Sequence, residues 1–314
     1  MARRRKGEDI HGWAVVDKPF GLTSTEAVNR VRRALNARKA GHGGTLDPLA
    51  TGILAVALGE ATKTIPYVMD AEKVYRFTAR WGEARATDDR EGEVTETSDH
   101  RPAPEEIEAV LPRFVGEISQ VPPVFSAIKV DGERAYDLAR AGESVELEPR
   151  IVHVHGLRLL SVPDSGHAVF EMRCGKGTYV RSLVRDLARA LGTFGHVHEI
   201  RRTRVGAFGE TQAIPLDKWV ELGHSAAAKD ELLPVETALD DIPALAVTGN
   251  DATRLRNGQS ILLRDEAVLG RVKAAHPGGT SDAVVLCSLK GRPVALCRFD
   301  RGALKPTRVF NIPL

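Results

Sequence analysis

Apolar residues recur with strand-like spacing through much of the 314-residue chain. Residues 13–19 and 53–58 are mostly apolar, β-branched runs, which are typical of buried strands. Residues 74–82 alternate between apolar and polar positions, so they predict a strand that is buried on one face. Residues 151–162 and 167–174 predict an antiparallel pair of strands.

Three segments have the spacing of amphipathic helices. Thr23 and Glu26 have the spacing of a capping box at the start of a helix over 24–38. Residues 104–116 have one apolar face and a proline in the first turn, and a second proline interrupts or ends the helix. Residues 180–191 give a strong helical pattern. Its arginines recur every four residues and form one stripe, Arg181, Arg185 and Arg189.

The pattern changes near residue 243. Residues 209–242 predict a connecting region that is partly helical, and the short apolar segments after it predict strands, among them residues 268–275. About seventy residues are near the lower limit for a domain that folds on its own. The sequence therefore predicts a large domain over 1–242, with its connecting region from about 209, and a small β domain over 243–314.

Composition and chain patterning exclude several classes of protein. Hydrophobic residues make up 42% and charged residues 27% of the chain, which is ordinary for a globular protein. The three cysteines lack zinc-ligand spacing, so we expect neither a structural metal nor a disulfide framework. The basic N-terminus lacks an apolar core, and the longest apolar run is far too short to span a bilayer. We therefore expect a cytoplasmic protein without membrane segments.

The net charge of +2 conceals a segregation of charge along the chain. Basic residues concentrate in 30–39 and 176–204, whereas acidic residues concentrate in 83–108. Such a distribution suits an anionic ligand such as a phosphate backbone, and the alternative is a set of solvated helix faces. The polar stretch 83–103 predicts a mobile loop with a hairpin-like turn.

The segment GHGGTLDPLATG, residues 41–52, places reactive side chains where glycine and proline oppose a helix. It predicts a tight loop whose backbone passes close to a ligand. Asp47 is its lone carboxylate, and His42 stands near its start. The alternative is that Asp47 is a turn residue that accepts backbone N–H bonds. The chain has neither a Walker loop nor a dinucleotide fingerprint, so no nucleotide cofactor is predicted.

Five parts of the chain together resemble the bacterial tRNA pseudouridine synthase B family. They are VVDKPFGLTS, GHGGTLDPLATGILAVALGEATK, KVYRFTARWG, VPPVFSAIKVDGERAYDLARAG and RCGKGTYVRSLVRDLARALG followed by HVHEIRRTRVGAF, in the family's order over residues 13–208. The resemblance implies an α+β fold, a mixed and mostly antiparallel sheet flanked by helices, with a small C-terminal β-barrel-like PUA domain. One departure is Gly43, where many relatives carry Thr or Ala, and glycine is expected to preserve the tight turn.

The resemblance also implies an RNA-modifying isomerase with three catalytic residues. It converts uridine 55 in the T-loop of tRNA to pseudouridine after the nucleotide is flipped out of its stack. Asp47 is the catalytic carboxylate, either as a nucleophile or as a base acting on the sugar. Arg181 supplies the cation beside it, and otherwise belongs to the solvated arginine stripe. Tyr75 packs against the base and can assist proton removal from C5, and otherwise belongs to the core.

Five further residues are implied to contact the RNA. Tyr179 and Ile200 match positions that line the base pocket, although Ile200 fits ordinary core equally well. His42 matches the residue that occupies the vacated stack, and otherwise it bonds locally in its loop. Lys18 orients the loop or the RNA, and Lys129 contacts a backbone phosphate.

The implied reaction is an isomerisation, so we expect no cofactor and no metal. The expected partner is the T-arm of tRNA, recognised through its unpaired loop, with no obligate protein partner. Two other functions remain open: a non-catalytic RNA-binding or RNA-chaperone protein, and a nucleotidyltransferase that requires ATP or CTP. Asp47 together with Tyr75 and Arg181 favours the isomerase, because a protein that only binds RNA has no need for this trio.

Overall fold

The computed structural model describes residues 7–126, 128–130, 133–135, 138, 146–275 and 283–313. In chain order, the strands of these residues are β1 (Gly12–Lys18), β2 (Ala40–His42), β3 (Thr51–Leu58), β4 (Lys73–Trp81), β5 (Glu83–Arg85), β6 (Val94–Thr97), β7 (Gly116–Gln120), β8 (Lys129–Val130), β9 (Glu133–Arg134), β10 (Arg150–Asp164), β11 (His167–Cys174), β12 (Gly195–Val205), β13 (Phe208–Gly209), β14 (Ile214–Pro215), β15 (Ala244–Ala246), β16 (Ile261–Leu262), β17 (Val284–Leu289), β18 (Arg292–Asp300) and β19 (Ala303–Val309). The helices of these residues are α1 (Ser24–Ala34), α2 (Ile65–Asp70), α3 (Pro104–Val110), α4 (Val180–Ala190), α5 (Leu216–Leu222), α6 (Ala226–Asp230), α7 (Gly249–Arg256) and α8 (Glu266–Ala275).

A large mixed sheet forms the centre of the fold. Its strand order in the described residues is β14-β1-β3-β12-β4-β11-β10-β7, with β2 added beside β3 and β13 beside β12. The pairs β1–β14 and β3–β12 are parallel, whereas the other neighbours run antiparallel. The prediction of an α+β fold around a mixed, mostly antiparallel sheet is confirmed.

The start of α1 confirms the predicted capping box. The N–H of Glu26 donates to Thr23 Oγ1 over 3.1 Å, and the N–H of Thr23 donates to Glu26 Oε2 over 2.9 Å. The helix ends at Ala34 rather than at residue 38. Asn36 has a left-handed φ of 49°, which a right-handed helix cannot continue.

The helix predicted over 104–116 is interrupted at its second proline as predicted, whereas one other predicted segment differs from the structure. Helix α3 ends at Val110, and Leu111–Phe114 follows as a 3₁₀ turn with Pro112 near its start. Proline interrupts the α-helix because it lacks an N–H and its ring clashes with the preceding turn. Residues 268–275, predicted as a strand, belong to helix α8. Short apolar runs fit both periods, so the pattern alone could not separate them.

The segment 83–103 is tied into the fold. Strands β5 and β6 pair antiparallel and form what we call the acidic hairpin, residues 83–97. At its tip, the N–H of Arg90 donates to Val197 O over 3.0 Å, and the N–H of Val197 donates to Asp88 O over 3.1 Å. The predicted hairpin-like turn is therefore confirmed, whereas the expected mobile loop has tertiary contacts that its polar sequence did not indicate.

Apolar clusters on the large sheet meet at one seam. The first cluster joins β4, β10, β11 and α4, and includes Phe77, Phe170 and Leu183. The second joins β1, β3, α1 and α5, and includes Leu54 and Trp219. Tyr75 and Ile200 contact both clusters. These two side chains therefore mark the seam, and the loop between β2 and β3 lies beside it.

The C-terminal strands form a second sheet. Its order in the described residues is β15-β17-β18-β19-β16, which confirms the small β unit predicted for this part of the chain. A shared apolar cluster joins it to the large sheet through residues that include Trp13, Phe208, Leu286 and Phe310. The Nζ of Lys63 also donates to Val309 O over 2.7 Å.

Candidate active site

The loop between β2 and β3 is anchored on both sides of Asp47. The hydroxyl of Ser24 at the start of α1 donates to Leu46 O over 2.9 Å, and the N–H of Leu46 donates to Ser24 Oγ over 2.8 Å. The N–H of Ala50 donates to Asp47 O over 3.0 Å and closes a turn. Gly44 has a φ of 125°, a conformation that glycine adopts without a steric penalty. Asp47 is therefore held in a fixed loop.

Glycine at position 43 is explained by space rather than by the turn. A Cβ added to Gly43 would lie 2.4 Å from Cγ1 of Val68, which is closer than real Cβ contacts allow. The residue does not have the positive φ that requires glycine. Val68 of helix α2 thus occupies the volume that a side chain at position 43 would take.

Asp47 forms an ion pair with Arg181 across the seam. Asp47 Oδ2 lies 2.8 Å from Nη2 of Arg181. The side chain of Arg181 is 6% exposed, whereas that of Asp47 is 42% exposed. The carboxylate therefore has one oxygen held by a buried cation while part of the group remains open to a ligand. The structure brings together the two residues predicted as a pair, and Arg181 does not belong to a solvated stripe.

Arg181 is fixed by the rest of its surroundings. Its Nη1 donates to Thr87 O in the acidic hairpin over 3.1 Å, and its Nη2 donates to Phe125 O over 3.0 Å. Asp89, which is also buried, has a carboxylate oxygen 3.6 Å from Nη1. A buried guanidinium needs such partners because desolvation of an unpaired charge is costly. The acidic hairpin thus holds the cation that pairs with Asp47.

A cavity of about 360 Å³ opens beside Asp47. Its lining includes Asp47, Tyr75, Tyr179, Arg181 and Ile200, five residues predicted for the site from separate parts of the chain. A volume of this size lies within the range of about 300–1,000 Å³ that is usual for small-molecule sites. The cavity therefore offers space for one nucleoside-sized group against the carboxylate.

Two tyrosines from different elements line the cavity. Tyr75, on β4, is half-buried, and burial raises the pKa of its hydroxyl above the ordinary value. Tyr179 precedes α4, and its backbone is clamped by Gln120: the N–H donates to Gln120 Oε1 over 2.8 Å, and Gln120 Nε2 donates to Tyr179 O over 3.0 Å. Burial raises the pKa of Tyr179 as well. Both phenols are therefore protonated at neutral pH.

His42 lies outside the lining of this cavity. It belongs to β2, opposite Val56 of β3, and its side chain is half-buried. Burial lowers the pKa of its imidazole, and its buried Nδ1 has no hydrogen-bond partner within the described part of the chain. The role predicted for His42, filling a vacated base stack, stays a prediction.

Lys18 is completely buried beside the Asp47 loop. Its Nζ donates to Leu22 O over 2.7 Å, to Pro19 O over 2.9 Å and to Pro48 O over 3.3 Å. These carbonyls belong to the turn after β1 and to the residue that follows Asp47. Of the two roles predicted for Lys18, the contacts support orientation of the loop. Burial lowers the pKa of the ammonium group from 10.5 to about 8.

This depressed pKa predicts how stability depends on pH. The unfolded chain keeps the Lys18 proton up to about pH 10.5, whereas the folded chain releases it near pH 8, so folding gains stability as pH rises above 8. Between about pH 7 and 9.5 we expect wild type to gain about 2 kcal/mol relative to Lys18→Met. Urea unfolding of both proteins at the two pH values measures this. Parallel pH profiles of the two proteins would contradict the prediction.

The remaining predicted contact, Lys129, begins the short strand β8, where it pairs with Arg134 of β9. Its side chain lies outside the described structure, so its phosphate contact stays a prediction.

Among the described residues, no three His, Cys, Asp or Glu side chains are grouped as metal ligands. None of the helices in those residues is both long enough and apolar enough to cross a bilayer.

Arg202 is a site residue to which the sequence assigned no individual role. It is 1% exposed and lines the cavity. Its Nε donates to Ile53 O over 2.8 Å, its Nη1 to Thr45 O over 3.3 Å and its Nη2 to Gly44 O over 3.1 Å. Its guanidinium therefore fixes the backbone of the loop that carries Asp47. The sequence did contain a signal for Arg202. Residues two apart on a strand share a face, and Ile200 was already assigned to the pocket, so Arg202 was expected on the same face.

Comparison with known proteins agrees with this arrangement. Residues 32–180 match the model of the N-terminal domain of the TruB family pseudouridylate synthases, and residues 181–240 match that of the tRNA pseudouridylate synthase B C-terminal domain. A tRNA pseudouridine synthase B of Caulobacter sp. (strain K31) is 58% identical over 312 residues, which cover 99% of this chain and 100% of that protein. The chain belongs to the TruB family. The matched models include Asp47, Tyr75 and Tyr179 in the first and Arg181 in the second.

Other relatives extend the comparison. The tRNA pseudouridine synthase B of Bradyrhizobium diazoefficiens is 56% identical and aligns with 98% of this TruB family chain and 88% of its own. A solved chain from a Cbf5–Nop10–Gar1 complex is 26% identical, with a TM-score of 0.70 over 96% of this chain and 85% of that one. A chain from an H/ACA ribonucleoprotein bound to a substrate RNA containing 2′-deoxyuridine has a TM-score of 0.71 at 24% identity, covering 100% and 92%.

Proposed function

We propose that this protein converts uridine 55 in the T-arm of tRNA to pseudouridine. The observation that carries the proposal is the half-exposed Asp47 carboxylate, paired with Arg181 at 2.8 Å, in a cavity that Tyr75 and Tyr179 also line. Its family supports this activity, since relatives 52–58% identical are named tRNA pseudouridine synthase B. The cavity adjoins the segregated basic residues of α4 and β12, which suits an RNA ligand.

The proposed reaction rearranges bonds without adding or removing atoms. The N1–C1′ bond of the uridine breaks, the base turns, and a C5–C1′ bond forms. A proton leaves C5, and N1 ends protonated, so the product is an isomer of the substrate. No oxidant, nucleotide or metal is consumed in this balance. Asp47 acts either as the nucleophile at C1′ or as a base on the sugar, and Arg181 offsets its charge.

The other cavity residues have supporting roles in this proposal. The base must leave its stack to reach Asp47, at a cost of a few kcal/mol. Contact with Tyr75 and with the apolar side chain of Ile200 offsets part of that cost, because aromatic stacking contributes about 1–3 kcal/mol per base. Burial raises the pKa of Tyr75, so its hydroxyl is neutral and takes the C5 proton only as it passes its own proton on towards N1, which ends protonated. Tyr179 also lines the cavity.

We further propose that residues 1–242 form the catalytic unit and 243–314 a PUA-like RNA-binding unit in a cytoplasmic protein without an obligate protein partner. The arginines of α1 and the C-terminal sheet would contact phosphates of the stem. Such contacts release counterions, so binding should weaken steeply with added salt.

The test is to map pseudouridine after incubation with an unmodified tRNA transcript and with its isolated T-arm hairpin, without metal or nucleotide. We expect product at position 55 in both RNAs. A hairpin with cytidine at that position is the matched control and should give none. Binding without product would favour the RNA-binding alternative, and product at another position would contradict the assignment to uridine 55.

A further inference from the structure

We propose that Phe20 and Arg90 form a second RNA subsite at the rim of the active site, which takes an unpaired nucleobase neighbouring the target uridine. The proposal rests on the proposed RNA substrate but concerns residues that do not line the cavity. We call this pair the rim platform.

The rim platform combines an exposed aromatic ring with a cation. Phe20 is 49% exposed and lies in the turn between β1 and α1. The guanidinium carbon of Arg90, at the tip of the acidic hairpin, lies 4.8 Å from the centroid of the Phe20 ring. In the part of the chain that the structure describes, the Arg90 side chain has no ion pair and donates no hydrogen bond. Its N–H groups therefore remain available to a ligand.

The Phe20 side of the platform is fastened to the Asp47 loop. The N–H of Gly21 donates to Pro48 O over 2.9 Å. The ammonium group of Lys18 joins the carbonyls of Pro19, Leu22 and Pro48, as described above. The aromatic ring is thus attached, through two sets of hydrogen bonds, to the residue that directly follows Asp47.

The Arg90 side of the platform is fastened to the partner of Asp47. Arg90 is bonded through its N–H to Val197 of β12 over 3.0 Å. Its neighbour Asp89 is 3% exposed and has a carboxylate oxygen 3.6 Å from Nη1 of Arg181, and the same Nη1 donates to Thr87 O over 3.1 Å. The two residues of the platform therefore lie on segments that are hydrogen-bonded to the Asp47 loop on one side and to Arg181 on the other.

The chemistry of this pair suits a nucleobase. When one nucleotide of a hairpin loop is flipped out, its neighbours lose a stacking partner, and proteins commonly stack such bases on aromatic rings or arginine planes. Every base has a π face, and the free N–H groups of Arg90 match base edges or a phosphate. A single exposed Phe is ordinary on a protein surface. The tethered ring with an unpaired guanidinium on it is what favours a subsite.

The experiment is a double-mutant cycle, in which each protein variant is measured with each RNA variant. Dissociation constants are measured for wild type, Phe20→Leu and Arg90→Gln, with the intact T-arm hairpin and with hairpins that carry an abasic site at each unpaired loop position except the target. Arg158→Gln is the control, because it removes a side chain that is 68% exposed and pairs with Glu171. Thermal unfolding confirms that each variant is folded.

We expect Phe20→Leu to weaken binding of the intact hairpin about tenfold, which corresponds to about 1.4 kcal/mol. This loss should fall below about twofold for one abasic position, because that RNA has no base to stack. An equal loss on every hairpin, or no loss on the intact one, would overturn the rim platform. Product formation is scored separately, so a wild type that binds but forms no pseudouridine would contradict the proposed function while the cycle still tests the subsite.

Discussion

Asp47→Asn is expected to lower the rate of pseudouridine formation by at least about a thousandfold, as the loss of a reacting group does in other enzymes. The amide has the shape of the carboxylate but cannot attack C1′ or accept a sugar proton. RNA binding should change less than about threefold, because only one side chain in the cavity has lost its charge. Single-turnover kinetics and a direct binding assay measure the two quantities separately.

A second carboxylate in the same cavity provides the control. Asp70 also lines the cavity, but it is 61% exposed and pairs with Lys176 at 2.9 Å, away from the Arg181 pair. Asp70→Asn removes the same charge and should keep the rate within about fivefold of wild type. If both variants retained the wild-type rate, Asp47 would not be the catalytic group.

Arg202→Met should slow the reaction about a hundredfold while RNA binding changes little. The variant removes the hydrogen bonds to the carbonyls of Gly44, Thr45 and Ile53. These bonds fix the backbone of the loop that carries Asp47. A reacting group displaced by about 1 Å can lose about a hundredfold in rate. We therefore expect the loss in the rate constant at saturating RNA rather than in affinity.

Two further variants separate this role from a general effect of charge. Arg202→Lys keeps the charge but loses the planar fork that reaches several carbonyls, so it should recover only part of the rate. Arg201→Met changes the adjacent residue, which pairs with Asp17 at 2.9 Å and with Glu210 at 2.7 Å. It should stay within about fivefold of wild type. Equal losses at positions 201 and 202 would show that Arg202 has no special role in the loop.

Local signals predicted the elements that position the site. The capping box of Thr23 and Glu26 placed the start of α1 correctly, since both of its bonds span three residues. Strand alternation placed Tyr75 on the face that it occupies, because a period of two does not depend on distant residues. The pairing of Asp47 with Arg181 came from the family resemblance, since no local pattern relates residues so far apart in the chain.

The sequence did not predict contacts between segments that are far apart in the chain. The polar composition of 83–103 indicated a loop, but its turn is held by backbone hydrogen bonds that only the folded sheet creates: the N–H of Val197 donates to Asp88 O, and the N–H of Arg90 donates to Val197 O. Arg202 looked like one more basic residue, because its burial depends on the Asp47 loop lying over it. The apolar run at 268–275 has an ambiguous period, and in the helix that it forms Val268 and Val272, four residues apart, are both buried in the apolar cluster of the C-terminal sheet.

The position of β12 has a consequence for synthesis of the chain on the ribosome. β12 lies between β3 and β4 in the sheet, although it follows both in sequence. After β4 ends at Trp81, more than a hundred residues must be added before Val205 completes the inserted strand, which takes many seconds at roughly 5–20 residues per second. During that interval both neighbours have an unpaired edge that can aggregate. The strand order therefore leaves two unpaired strand edges on the nascent chain until its central strand has been synthesised.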